Sequence, residues 1–297
     1  MSKTSGIIDA HHHIWRQADL PWLLGPMQPR IFGPYESIRR DYLIEEFLSD
    51  VTAEGIEKSV YVQANWAPNW FVDEATWVQS IANASGWPHG IVGFADFTTH
   101  DVRPDLDRLA ALPLMRGLRQ QFHWHENAMF RFAPRADQLI EDKVIENIWR
   151  LADYEWSFEL QVFSGQMKDA AKLAKACPNV TFVLQHAGML EDLSDVGRAK
   201  WKDGMGLLAA QPNVVSKLSG FGTFIHKNDP DHIEGLVKQT VKLFGAERCL
   251  FGSNFPIEKI WTSYADLISA YQHASKGFSK KDQAAIFHDT AARVYRL

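Results

Sequence analysis

The feature that most constrains the fold is a strict alternation of short apolar runs with segments of helical period. The runs are Gly6–Trp15, Ser59–Gln63, Gly90–Ala95, Leu114–Phe122, Ser157–Phe163, Val180–Leu184, Val214–Leu218 and Arg248–Gly252. Between them apolar residues recur at three and four, as in Leu43, Phe47, Leu48 and Val51 ahead of Gly55, which is the spacing of one helix face. The same period marks Asp73–Ser85, Asp105–Ala111, Ala136–Ala152, Lys168–Cys177, Gly197–Ala210 and His232–Phe244, with Tyr264–Ala274 and Lys280–Tyr295 closing the chain. Eight strands taking turns with helices, and no GxGxxG turn after the first, predict a closed (β/α)8 TIM barrel rather than an open doubly wound sheet. No internal repeat, low-complexity tract or linker divides the chain, so residues 1–297 read as a single domain.

A closed barrel carries its reactive groups at the carboxyl ends of the strands. Those ends are polar here: His11 and His13 on the first strand, Gln63 and Asn65 on the second, and Arg119, Gln121, His123 and His125 on the fourth. Glu159 and Gln161 end the fifth strand, His186 the sixth, and Ser253 and Asn254 the eighth. In Asp9-Ala10-His11-His12-His13 the alternation of a strand puts His11 and His13 on one side, with Asp9 behind them in the same row and His12 opposite. The histidines follow Gly6-Ile7-Ile8 and precede Ile14-Trp15, so they belong to the apolar pattern and are not an added tail.

His11, His13 and His186 together supply three imidazoles, the donor type for one divalent ion such as zinc or manganese. An ion so held lowers the pKa of bound water toward 7 for attack on a carbonyl. The same histidines could instead polarise a carbonyl without metal. Arg119, at the exit of its strand beside Gln121, suits capture of a substrate carboxylate or of a developing oxyanion; a structural ion pair is the competing use. One of Glu159 and Gln161 is expected to approach the metal or the substrate. His123 and His125, in a loop, read as solvated, and Arg116 as a surface or ion-paired residue. Glu258 is a candidate acid near Asn254, or a partner for Lys259. The long irregular stretch Arg16–Arg40, with Pro21, Gly25, Pro26, Pro29, Gly33 and Pro34, is the kind of loop that is usually functional. Eleven tryptophans are many for 297 residues, and Trp15, Trp22, Trp66, Trp70, Trp124 and Trp261 fall in loops where they can wall a pocket for a flat or apolar substrate.

Bulk properties exclude several classes. A formal net charge of −5 gives no reason to expect a nucleic-acid partner. No apolar run of membrane-spanning length and no signal-like segment is present, so no membrane is expected. Cys177 and Cys249 lie far apart with no CxxC, which fits a reducing cytoplasm. The expected partner is a small-molecule substrate. The oligomeric state is left open.

Four segments carry a resemblance. Ile8-Asp9-Ala10-His11-His12-His13-Ile14-Trp15, Leu184-Gln185-His186-Ala187-Gly188, Leu250-Phe251-Gly252-Ser253-Asn254-Phe255-Pro256 and the closing Asp289–Leu297 together resemble the amidohydrolase-2 branch of the amidohydrolase superfamily. The resemblance implies a TIM-barrel hydrolase of small organic acids, sugar lactones or related carbonyl compounds, similar to the sugar-acid and pyrone-dicarboxylate lactonases. It places the HxH pair on His11 and His13, the sixth-strand histidine on His186, and the eighth-strand aspartate of the branch on Asn254. An amide neither accepts the proton nor ligates with the charge of a carboxylate. Three uses of Asn254 stay open: it orients water or substrate while another group is the base, metal-bound water acts without a base, or the site binds or performs other chemistry. A lactone or cyclic ester is the expected substrate, because hydrolysing an amide requires protonation of its leaving nitrogen. The alternatives are a metal-dependent decarboxylase of a small aromatic acid and a catalytically lapsed binding protein.

Overall fold

The computed structural model describes residues 6–297. Its eight strands are β1 (Ile7–His12), β2 (Ile56–Val62), β3 (Gly90–Gly93), β4 (Met115–Leu118), β5 (Ser157–Leu160), β6 (Phe182–Leu184), β7 (Val214–Leu218) and β8 (Cys249–Phe251). They form one sheet in sequence order, every neighbouring pair parallel. The ends of that sheet meet: His12 bridges Phe255, the Asn254 amide donates to His11 O at 2.7 Å, and the His13 amide donates to Phe255 O at 2.7 Å. The fold is a (β/α)8 TIM barrel. The covering helices are α1 (Ile44–Val51), α2 (Phe71–Ser85), α3 (Arg103–Ala110), α4 (Asp142–Trp149), α5 (Met167–Ala176), α6 (Asp195–Ala209), α7 (Pro230–Phe244) and α8 (Tyr264–Ala274). No helix among the described residues is long and apolar enough to cross a membrane.

Most strands are shorter at their carboxyl ends than the apolar runs predict. β4 stops at Leu118 and β5 at Leu160, so Arg119, whose amide makes the last β4–β3 bond to Gly93 O at 2.8 Å, sits at the end of the ladder and Gln121 and Gln161 lie beyond it, where chain leaving the barrel can turn side chains toward its axis. The predicted long last helix is broken into Lys280–Ala284, a π-turn over Ala285–Asp289 and Thr290–Tyr295. Its final turn seals the barrel from below. Ala291, Val294 and Tyr295 pack with Ile8, Ala10, Val60, Val62, Val92, Val183, Val215 and Leu250 in a buried apolar plug. A second, larger cluster fills the shell between strands and helices. Burying apolar surface on both faces of every strand is what holds a parallel barrel together.

β1 is not a regular strand. Asp9 pairs with Ser59 while His12 pairs with Tyr61, so three steps on β1 oppose two on β2. This bulge sets Asp9 and His12 on the outer face and leaves His11 and His13 on the inner one. The expectation that Asp9 shares the row of His11 and His13 is therefore corrected. Asp9 accepts hydrogen bonds from Ser253 Oγ at 2.6 Å, Ser253 N at 2.8 Å and Tyr264 Oη at 3.0 Å, fastening β1 to the end of β8 and to α8.

Candidate active site

His11 is fully buried, and neither of its ring nitrogens has a hydrogen-bond partner. Its ring lies 5.1 Å from that of His13 and 4.9 Å from that of His186, centroid to centroid. Space for it exists because residue 252 is glycine: a Cβ there would come within 2.6 Å of the His11 Cβ. His13 donates Nδ1–H to Val62 O at 2.6 Å, because a carbonyl can only accept, and so its Nε2 is bare. His186 sits at a left-handed backbone position, φ 53°, which turns its side chain off the end of β6, and its Nδ1 is 2.8 Å from Ser219 Oγ. Burial, with the Arg119 and Lys217 cations nearby, lowers the pKa of His186 to about 3. Desolvation lowers His11 and His13 well below the ordinary histidine value as well. All three are neutral imidazoles near pH 7.

Arg119 is buried beside them. One guanidinium nitrogen donates to Gln63 O and another to Gln185 Oε1 at 3.2 Å, while Nε is unpartnered. Its acceptors are neutral, and among the described residues no ion pair consumes its charge. Burial brings its pKa down to about 10, and it stays cationic. Arg116, half-buried, donates to the carbonyls of Pro113 and Met115 and forms no ion pair among the described residues.

Glu159 corrects an expectation. Its side chain faces the barrel interior as predicted, but below the cavity: it accepts from Lys217 Nζ at 2.8 Å, from Gln185 Nε2 at 3.1 Å and from Tyr295 Oη. Fully buried among those three donors, the carboxylate does not reach the cavity. Gln161, two residues further along, is the member of the pair that lines the cavity, with Gln121 Nε2 donating to its Oε1 at 3.3 Å.

The cavity above this floor has a volume of about 590 Å³. His13, His186, Asn254, Arg119, Gln121 and Trp15 line it, and the stretch after β1 contributes Trp22, Arg30 and Phe32. Trp66, Phe71, Phe94, Phe132 and Phe224 complete a largely aromatic wall. His123, expected to be solvated, is buried in that wall with Nδ1 unpartnered, and burial lowers its pKa to about 3. Two further residues shape the site from the wall and from beneath it. Glu74, in the first turn of α2, lines the cavity, accepts from Tyr61 Oη at 2.7 Å and Ala64 N at 2.5 Å, and is pushed by burial up to about 7. Lys217 anchors Glu159; its charge inside the apolar run Val214-Val215-Ser216-Lys217-Leu218 was the available signal.

Asn254 also has a left-handed backbone, φ 58°, and its Nδ2 is 3.5 Å from Glu258 Oε1. Lys259, the alternative partner for Glu258, turns the other way and pairs with Glu46 at 2.8 Å and Asp50 at 2.7 Å.

Residues 8–297 match the family model for amidohydrolases. The chain belongs to the amidohydrolase family. It is 34% identical to protein y4mH of Sinorhizobium fredii over 98% of both chains. It is 28% identical to an L-fucono-1,5-lactonase of Burkholderia multivorans over 98% of this chain and 96% of the other. The crystal structure of an amidohydrolase from Burkholderia multivorans with bound zinc superposes with a TM-score of 0.82 at 26% identity, covering 98% of this chain and 99% of that one.

In this amidohydrolase the donor chemistry suits a divalent ion. Both His11 ring nitrogens are buried and unsatisfied, and the rings of His13 and His186 flank it in the neutral form that ligation requires. The fit is one of donors and not of a closed cage: among the described residues no three His, Cys, Asp or Glu side chains are already gathered into a set that could hold an ion, and the eighth strand offers an amide.

Proposed function

We propose that this amidohydrolase hydrolyses a lactone or similar cyclic ester of a small organic acid by attack of water on the carbonyl. The observation that supports the reading is the meeting of three neutral imidazoles with the Arg119 guanidinium: His13, His186 and Arg119 line one aromatic-walled cavity, and His11 is buried directly against the two histidine rings. Arg119 lines the cavity with a guanidinium whose acceptors are both neutral, so its charge is left to bind a carboxylate or the oxyanion formed as water adds. The bare Nε2 of His13 is an acceptor against which water can be oriented, and Asn254 lines the same space. Water oxygen bonds to the carbonyl carbon, the ring C–O bond breaks, and the released alkoxide takes up the proton that the water lost, leaving a hydroxy acid. Imidazoles with such low pKa are weak proton acceptors, which favours an ester over an amide. His11, His13 and His186 would hold a divalent ion, which when bound lowers the pKa of water and polarises the carbonyl. The L-fucono-1,5-lactonase relative supports a sugar lactone as the first class to assay.

The test is ring opening of a panel of sugar and organic-acid lactones, followed by proton release, with metal content measured on the same samples. Turnover of at least one lactone, about 100-fold or more slower in His186→Ala, and with a raised KM in Arg119→Gln, is the expected result. Inertness toward every lactone, with loss of CO2 from a hydroxylated aromatic acid, would replace this reading with the decarboxylase that the aromatic wall also suits.

A further inference from the structure

Behind Asn254 lies a carboxyl group that the hydrolytic reading leaves unused. Glu258 is buried, and the chain returns it to Asn254 by one helical step, its amide donating to Asn254 O at 3.2 Å. Its two oxygens have different partners: Oε2 accepts from Trp261 Nε1 at 2.9 Å, and Oε1 faces Asn254 Nδ2 at 3.5 Å. The loop after β7 is shaped around this arrangement. A Cβ on Gly222 would come within 2.4 Å of Trp261 Nε1 and 2.7 Å of Glu258 Oε2, so only glycine lets the three segments close. Around the carboxyl stand the Trp261 indole, the Asn254 amide, the Gly222 backbone and the Tyr271 phenol, with the His226 ring beyond Trp261. Among the described residues no ion pair reaches it, since Lys259 is taken by Glu46 and Asp50. A carboxyl buried without a cation is costly to keep, and an apolar side chain there would pack at less cost.

We propose that Glu258 is a positioning residue that sets which end of the Asn254 amide faces the cavity. An amide presents a donor on one end and an acceptor on the other. With ionised Glu258 accepting from Nδ2, the Asn254 Oδ1 is directed to the cavity as an acceptor for a proton of the attacking water. With Glu258 protonated, its hydroxyl donates to Oδ1, and the amide turns its NH2 to the cavity, where it repels that proton. Burial pushes Glu258 up to about 8, so the choice falls near physiological pH. The proposal rests on the hydrolytic reading for its consequence on rate, but the turning of the amide stands apart from any substrate.

Two measurements on the intact protein separate these. The first follows the Asn254 side-chain NH2 resonances of 15N-labelled protein between pH 6 and 9.5, assigned by their loss in Asn254→Asp. They shift in one step with a midpoint near 8 in the wild type and stay constant in Glu258→Gln. Resonances that do not move in the wild type, or that move equally in Glu258→Gln, overturn the proposal whether or not a lactone is turned over. The second is the pH dependence of kcat and KM on any lactone that the panel identifies. Below the midpoint kcat falls about tenfold per pH unit in the wild type, with KM unchanged, and that limb is absent in Glu258→Gln. A limb retained in Glu258→Gln, or a loss confined to KM, also overturns it. Lack of turnover with titrating resonances would refute only the hydrolytic reading.

Discussion

His12 points away from the cavity and lies flat against Phe47, ring centroids 3.9 Å apart and 12° from parallel, with neither ring nitrogen hydrogen-bonded. Desolvation lowers its pKa from 6.5 to about 3. The unfolded chain therefore binds a proton that the folded chain refuses. Stability from this residue is fully present above pH 6.5 and is lost as pH falls toward 3, a loss of about 2 kcal/mol by pH 5. His12→Phe removes the titration and keeps the stack. Its melting temperature should fall less than that of the wild type between pH 7.5 and 5, by about 3–5 °C; an equal fall in scanning calorimetry would show that other groups carry the acid sensitivity. His123 teaches a related lesson. A histidine in a loop between charged and aromatic residues reads as solvated, and only the return of that loop over the barrel mouth buries it.

At the scale of elements, the interior of the barrel is held by a polar tie between β5, β7 and the closing helix. Glu159 accepts from Lys217 and from Tyr295, all buried. Breaking one side of such a tie leaves a cation with no counter-charge in an apolar plug. Glu159→Gln should cost about 3–5 kcal/mol in urea unfolding, while Glu159→Gln with Lys217→Met should recover most of it; equal destabilisation by single and double changes would mean that shape, not charge, is what matters there. The same element marks the limit of sequence reading. Period-two alternation gave the face of Glu159 correctly, but a face does not give height, and one layer of depth separates a cavity group from a floor group. Strand count, order and closure were legible because eight apolar runs recur with helices between them. The bulge in β1 was not, since an extra residue leaves no mark on composition, and it moved Asp9 to the outer face. Glu258 beside Lys259 in sequence suggested a pair that opposite directions of departure from one turn forbid.

The molecule as a whole is anionic, with a formal net charge of −5, whereas Arg30, Arg119 and Arg131 line one cavity. Arg30 lies over Trp22 and Arg131 over Trp124, so both cations are held in place on aromatic faces. Asp96 and Glu74 are the acids among the lining residues, and Glu74, pushed by burial up to about 7, is about half-neutral at pH 7. Cations concentrated in a low-dielectric cleft of a negative protein focus the field on that mouth. An anionic lactone should then be favoured over a neutral one, and the aromatic wall should favour one that also carries an apolar ring. A panel matched for ring size, run at low and at 0.5 M salt, checks this. For the anionic members KM should rise several-fold with salt, and rise likewise in Arg131→Gln and Arg30→Gln at low salt, while KM for the neutral members should not change. Salt-independent KM values, together with a preference for unsubstituted polyhydroxy lactones, would show that hydrogen bonding from Gln63, Gln121 and Gln161, and not the cationic aromatic rim, selects the substrate.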